Sequence, residues 1–204
     1  MTGDDDFYDA LSDAFAGPSR PVDALAQLPL DFQAFYIGHI KLYLDYAEAQ
    51  LGDARSAIEL VHQVFSEIQD AWQALLGEGN FEKAAWAILR QAIGLQLKAE
   101  DRRPSFIADG AVARALRASQ DQFKIMESSR GLFTAIADLP PKQFDVIVLR
   151  HVLGYPTSRI AWFMGLSESV VDYHGRNAKE RLRVQLGIPG TPPRSPSGKE
   201  RNKK

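Results

Sequence analysis

Apolar residues return every three or four positions along most of this chain, and that spacing constrains the fold more than any other feature. Apolar side chains at such intervals share one face of an α-helix, whereas a half-buried strand alternates at every second residue. In the first half the spacing predicts three helices, at 32–51, 53–76 and 81–99, with Gly52 ending the first and Asp53 capping the second. No segment alternates like a β-strand. The chain is therefore predicted to be all-α.

The composition excludes several classes of protein. The sequence has no cysteine, so it forms no disulfide, no thiolate metal site and no cysteine nucleophile. Its four histidines are scattered, and no phosphate loop, Gly-x-Ser-x-Gly or catalytic triad is present. The longest apolar runs are too short for a membrane span, and the acidic N-terminus differs from a basic signal peptide. We therefore predict a cytoplasmic chain that is not an enzyme, with no catalytic residue, metal or cofactor and no membrane partner.

The charges divide the chain more sharply than its net charge of −2 suggests. Seven aspartates and one arginine lie in the first 31 residues, and five basic residues and one glutamate lie in the last sixteen. Together with the Pro-rich breaks, this predicts two small helical domains joined by a flexible linker. The predicted layout is an acidic arm at 1–31, a first domain at 32–103, a linker at 104–124, a second domain at 125–188 and a disordered basic tail at 189–204.

The most informative stretch for function runs from Thr157 to Arg183. Thr157 is predicted to cap a short helix that ends before Gly165, and Ser167 is predicted to cap a longer helix that follows at once. Two helices held at a steep angle by a Gly-containing turn form a helix-turn-helix, whose second helix enters the DNA major groove. Taken alone, the pattern also fits an ordinary helical hairpin.

A wider set of residues favours the helix-turn-helix over the ordinary hairpin. In the second half, the set is Leu139-Pro140, Val146, Leu149-Arg150, Gly154-Tyr155, Ile160-Ala161, Gly165-Leu166-Ser167 and the closing run Ala178–Arg183. With these residues in register, the chain resembles the extracytoplasmic-function type of bacterial RNA polymerase sigma factor. The first half resembles that family's first domain more weakly, through Leu51-Gly52-Asp53, the run 57–65 and Trp86–Arg90.

The resemblance implies a sigma factor that binds core RNA polymerase and directs transcription initiation at promoter DNA. The residues that it implies for polymerase binding are Glu59, Leu60, Val61 and Phe65. For the minus-ten element they are Asn80 and Phe81, and for the minus-thirty-five element Ser167, Ser169, Asp172, Tyr173, Arg176 and Lys179. Bases of a separated strand stack on aromatic side chains, and Trp72 and Trp86 are also available. Both tryptophans lie on apolar stripes and are predicted to be core, whereas Phe81 beside the loop is predicted to be exposed.

The chain also departs from the family. Asp172 and His174 stand where members usually carry basic residues, and Ile93 stands where they usually carry Asn. Across 32–103 there are seven basic and ten acidic residues, which is a poor footprint for a single-strand groove. A second interpretation therefore stays open, in which the chain binds an anti-sigma factor or another regulatory partner and has lost promoter recognition. A stand-alone helix-turn-helix regulator is a third, and the first-domain pattern argues against it.

Overall fold

The computed structural model describes residues 27–105 and 129–188, and all regular secondary structure in these two ranges is helical. The elements are α1 Leu30–Leu51, α2 Ala54–Asp70, α3 Trp72–Leu76, α4 Phe81–Ala99, α5 Ser129–Ala137, α6 Pro141–Ile147 with a π-helical continuation Val148–Val152, α7 Thr157–Met164 and α8 Glu168–Gln185. The all-α prediction is confirmed for these ranges. Almost all of the predicted acidic arm, most of the linker and the basic tail lie outside the described residues.

The helix ends in the first half follow local chemistry. Gly52 takes a left-handed conformation with φ of 75° after α1, and the Asp53 side chain accepts from the backbone N–H of Ser56 at 2.8 Å to cap α2. The prediction of one helix to residue 76 is wrong, because α2 ends at Asp70 and Ala71 separates it from the short α3.

In the second half Pro141 begins α6, where its missing N–H is not needed. The prediction that Thr157 caps α7 is wrong. Pro156 occupies the N-cap position without a side-chain cap, and Thr157 is the first helical residue. The Thr157 hydroxyl accepts instead from the guanidinium of Arg150, at 2.8 Å. A long-range contact thus takes the oxygen that local reasoning assigned to the cap.

Aromatic rings fill the core of the first half. The Phe35 ring lies 5.3 Å from Trp72 and 5.9 Å from Phe65 between centroids, and Tyr43 lies 5.3 Å from Phe65. Trp72 and Trp86 are each only 4% exposed, so the prediction that they are core is confirmed. Rings at these separations add favourable ring–ring contacts to the burial of their apolar surface.

The two helical halves pack against each other around one buried carboxylate. Asp145 of α6 is 1% exposed, and three groups of the first half donate to it. The Tyr46 hydroxyl lies 2.7 Å from Oδ1, the Trp86 indole nitrogen 3.1 Å from Oδ2, and Arg90 Nε 2.9 Å from Oδ1. Because every partner of this carboxylate belongs to α1 or α4, it joins α6 to the first half.

Further contacts widen this interface. The Tyr155 hydroxyl donates to Asp45 Oδ2 at 2.7 Å, and the Trp162 ring packs 4.4 Å from the buried ring of His39. Gly38 lies under Trp162, and an ideal Cβ at this glycine would stand 2.9 Å from Trp162 Cη2. The close approach of α7 to α1 therefore requires the absence of a side chain at Gly38.

We expect Asp145 and His39 to make opposite contributions to the pH dependence of folding. Burial raises the pKa of Asp145 from 3.8 to about 6, although its three donors favour the charged form, and burial lowers the pKa of His39 from 6.5 to about 4. The Asp145 contribution to stability is present below pH 3.8 and is lost as the pH rises through about 6. The His39 contribution is present above pH 6.5 and is lost as the pH falls through about 4.

Urea unfolding between about pH 4 and 7 measures both slopes. Asp145→Asn should make the free energy of unfolding fall more steeply on acidification than in the wild type, and His39→Gln should make it fall less steeply. Slopes that match the wild type in both variants would contradict this assignment.

Candidate nucleic-acid interface

Helices α7 and α8 form the predicted helix-turn-helix. Gly165 ends α7 in the left-handed region with φ of 58°, and the Leu166 N–H bonds to the Ala161 carbonyl at 2.8 Å, which closes the turn. Ile160 and Phe163 of α7 and Val171 and Ala178 of α8 are buried in the core. Val170 of α8, by contrast, is 37% exposed. The exposed side of α8 is thus free of the core.

Three polar side chains follow one another along that exposed side. Ser169, Tyr173 and Arg176 are spaced by four and three residues, so they share one face, and all three are exposed. Ser167 and Ser169 lie at the helix start with their hydroxyl oxygens 3.0 Å apart. Backbone N–H groups and the helix dipole favour anions at this end, so the serines suit contact with a phosphate.

Asp172 and Lys179 are placed differently from the other predicted DNA-binding residues of the helix-turn-helix, because both are partly buried. Asp172 Oδ1 lies 2.8 Å from Arg150 Nη2, so the carboxylate is paired within the protein. Burial, and more weakly the charge of Lys142, lower the pKa of His174, so this side chain is neutral at pH 7.

One of the arginines near the end of α8 is bonded within the protein. Both Nε and Nη2 of Arg183 donate to Glu180, at 2.8 and 2.6 Å, and Nη1 donates to the Ile188 carbonyl at 2.8 Å. Because its donors are engaged, Arg183 is held by the protein, while Arg176 and Arg181 are exposed.

The loop before α4 does not present a free aromatic ring. Phe81 is partly buried, and its centroid lies 5.7 Å from Phe35 and 5.8 Å from Trp72, so the prediction that it is exposed is wrong. The Asn80 side chain caps α4 by accepting from Lys83 N–H at 3.0 Å, and its Nδ2 donates to the Gly165 carbonyl at 2.7 Å. The loop therefore contacts the turn of the helix-turn-helix.

The predicted polymerase-binding residues on α2 separate into two groups. Glu59 is exposed, whereas Leu60, Val61 and Phe65 are at most 5% exposed and belong to the core. The helical period that predicts α2 also places these three on its buried face, and their role in polymerase binding stays a prediction. The exposed face beside them carries Glu59, Gln63 and Ser66.

Sequence reasoning missed the contacts of Asp145 and of Arg150. Asp145 gave a weak signal, since it is an acidic residue inside the apolar run Phe144–Leu149. The partners Tyr46 and Asp172 lie 99 and 22 residues away from these two side chains, and helical periodicity carries no information about such pairs.

Within residues 27–105 and 129–188 there is no cluster of His, Asp and Glu suited to a metal ion. No helix of those ranges is both long and apolar enough to cross a membrane.

Comparison with known proteins bears on the second half of the chain. A family model described as sigma-70, region 4 matches residues 129–182. No curated protein matches the chain. The chain is similar to a solved "Co-crystal structure of the sigma factor RpoE in complex with the anti-sigma factor NepR from Bartonella quintana", with 16% identity and a TM-score of 0.39, over 78% of this chain and 98% of that chain. A likeness of that degree does not extend to sites or partners.

The family match spans α5 to most of α8 and so contains the whole helix-turn-helix. Residues 129–182 are therefore a sigma-70 region 4 domain.

Proposed function

We propose that the protein is a sigma factor of the extracytoplasmic-function type, which binds core RNA polymerase through its first half and reads the minus-thirty-five element with α8. The observation that carries this proposal is the exposed face of Ser169, Tyr173 and Arg176 on the second helix of the helix-turn-helix. A helix with one face packed on the domain and the other exposed is the arrangement that enters a major groove.

Each residue of that face has chemistry suited to DNA. The hydroxyls of Ser167 and Ser169 lie at the helix N-terminus, where phosphate oxygens are bound. Tyr173, 55% exposed, offers a hydroxyl and a ring to base edges, and Arg176 offers a guanidinium to guanine or to phosphate.

In the first half, the exposed face of α2 is the proposed polymerase contact. Glu59, Gln63 and Ser66 present polar groups on a helix whose opposite side is anchored in the aromatic core. A rigid helix face limits the entropy that is lost on binding.

Binding of the minus-ten element near Asn80 requires that this loop first become accessible. The Asn80 side chain is bonded to the Gly165 carbonyl, so the loop and the helix-turn-helix turn cover part of each other. We infer that the two halves separate when both segments bind DNA.

The first experiment is co-elution of the purified protein with bacterial core RNA polymerase on a sizing column at moderate salt. A stable one-to-one complex would support the proposed function. A folded protein that forms no complex would contradict it and would favour the alternative, in which the chain binds an anti-sigma factor.

We expect Glu59→Ala to weaken the polymerase complex by about fivefold, since it removes a charge from the proposed contact face. Glu48→Ala is the matched control, because Glu48 is an exposed acidic residue of α1 and lies outside the proposed contact helix. Equal losses in the two variants would place the contact elsewhere.

We expect Arg176→Ala to weaken binding to duplex DNA by about three- to tenfold and to reduce the slope of log affinity against log salt by about 0.9, as for one lost phosphate contact. Arg181→Ala serves as the control, since Arg181 is exposed on α8 but lies away from the Ser169–Tyr173–Arg176 face. A salt slope that Arg176→Ala leaves unchanged, measured by fluorescence anisotropy, would argue against a phosphate contact.

Separation of the halves is measurable by energy transfer between two dyes, because the chain has no native cysteine. With cysteines introduced at the exposed positions Glu48 and Arg181, we expect the transfer efficiency to fall when core polymerase is added. An unchanged efficiency in a complex that has formed would mean that the halves stay together.

A further inference from the structure

The recognition helix carries a negative charge close to its DNA-facing side. Asp172 precedes Tyr173 and lies one turn before Arg176, where a free carboxylate would repel the phosphates of DNA. Acceptance from a cytosine amine is the contact open to a carboxylate in the major groove, and it requires a side chain free to reach the base.

The structure shows that this carboxylate has a partner. Asp172 Oδ1 lies 2.8 Å from Arg150 Nη2, and the same nitrogen lies 2.8 Å from Thr157 Oγ1. Arg150 belongs to the π-helical turn after α6, Thr157 is the first residue of α7, and Asp172 lies in the second turn of α8. One guanidinium therefore links the π-helical turn to both helices of the helix-turn-helix.

We propose that Asp172 and Arg150 are positioning residues that fix the orientation of the recognition helix, and that Asp172 does not read DNA. This inference rests on the proposed function, in which α8 binds promoter DNA. The ion pair cancels the carboxylate charge that faces the phosphates. It also holds the start of α8 against α7, so that Tyr173 and Arg176 enter the groove from a fixed angle.

Gly175 provides an independent observation for the same arrangement. This glycine is buried inside α8, where glycine costs roughly 1 kcal/mol relative to alanine, and its φ is not positive. An ideal Cβ there would lie 3.0 Å from Arg150 Nη1 and 3.5 Å from Val146 Cγ1. The missing side chain thus leaves the space through which the guanidinium reaches Asp172.

The direction in which one substitution changes DNA affinity distinguishes a positioning role of Asp172 from simple repulsion of phosphate. If Asp172 only repels phosphate, Asp172→Asn should tighten DNA binding. If it orients α8, the same change should weaken binding, and we expect a loss of about fivefold. The matched control is Glu168→Gln, which removes an exposed acidic charge from the first turn of the same helix and should leave affinity equal or higher.

The full-length protein is first used to select its preferred site from a library of randomised duplexes, and each variant is then measured on that site by anisotropy. We expect Asp172→Asn to broaden the selected sequence while it keeps the salt slope, because no phosphate contact is lost. We expect Gly175→Ala to lower affinity, although helix propensity alone would stabilise α8. A DNA affinity of Asp172→Asn that is equal to or higher than that of the wild type, as is expected for Glu168→Gln, would overturn the proposal.

Thermal unfolding tests the pair without DNA. Arg150→Gln, Asp172→Asn and the double variant form a cycle, and the double variant should melt no lower than the worse single variant if the two side chains act together. Additive losses would overturn the pairing. Wild-type protein that selects no sequence would instead contradict the proposed function, and the cycle would still decide whether the pair exists.

Discussion

The arrangement of this protein depends on the buried carboxylate of Asp145. An ionised group taken out of water is costly unless donors replace its hydration, and here the Tyr46 hydroxyl, the Trp86 indole and Arg90 do so within 3.1 Å. All three donors come from the first half, while Asp145 belongs to α6. The halves therefore hold each other in place, because separation exposes four polar groups that have been matched to one another.

The aromatic core makes that site possible. Tyr46 and Trp86 lie 4.7 Å apart between ring centroids and both bond to the Asp145 carboxylate. Burial of this carboxylate raises its pKa to about 6. Elsewhere in the interface the Trp162 ring packs on the His39 ring beside Gly38. The bonds to Asp145 give the contact one orientation, since hydrogen bonds are directional and ring packing is less so.

Two acidic residues of the second half are thus bonded to other side chains of the protein. Asp145 joins the two halves, and Asp172 of the recognition helix is paired with Arg150. As a result, the exposed side of α8 carries Ser169, Tyr173 and Arg176. This face suits DNA better than the acidic residue at position 172 suggests, because that carboxylate is paired with Arg150.

The sequence by itself determined the helices and where most of them end. Periodicity placed α1, α4 and α8. Gly52 marked the end of α1, Asp53 the start of α2 and Gly165 the end of α7, because these signals act between residues a few positions apart. Only the tertiary structure decided which distant partners several side chains contact. Thr157 became a partner of Arg150 instead of a cap, Phe81 joined the aromatic core, and Asp172 found an arginine 22 residues earlier. Such pairings are set by the packing of whole helices, and a one-dimensional pattern does not carry that information.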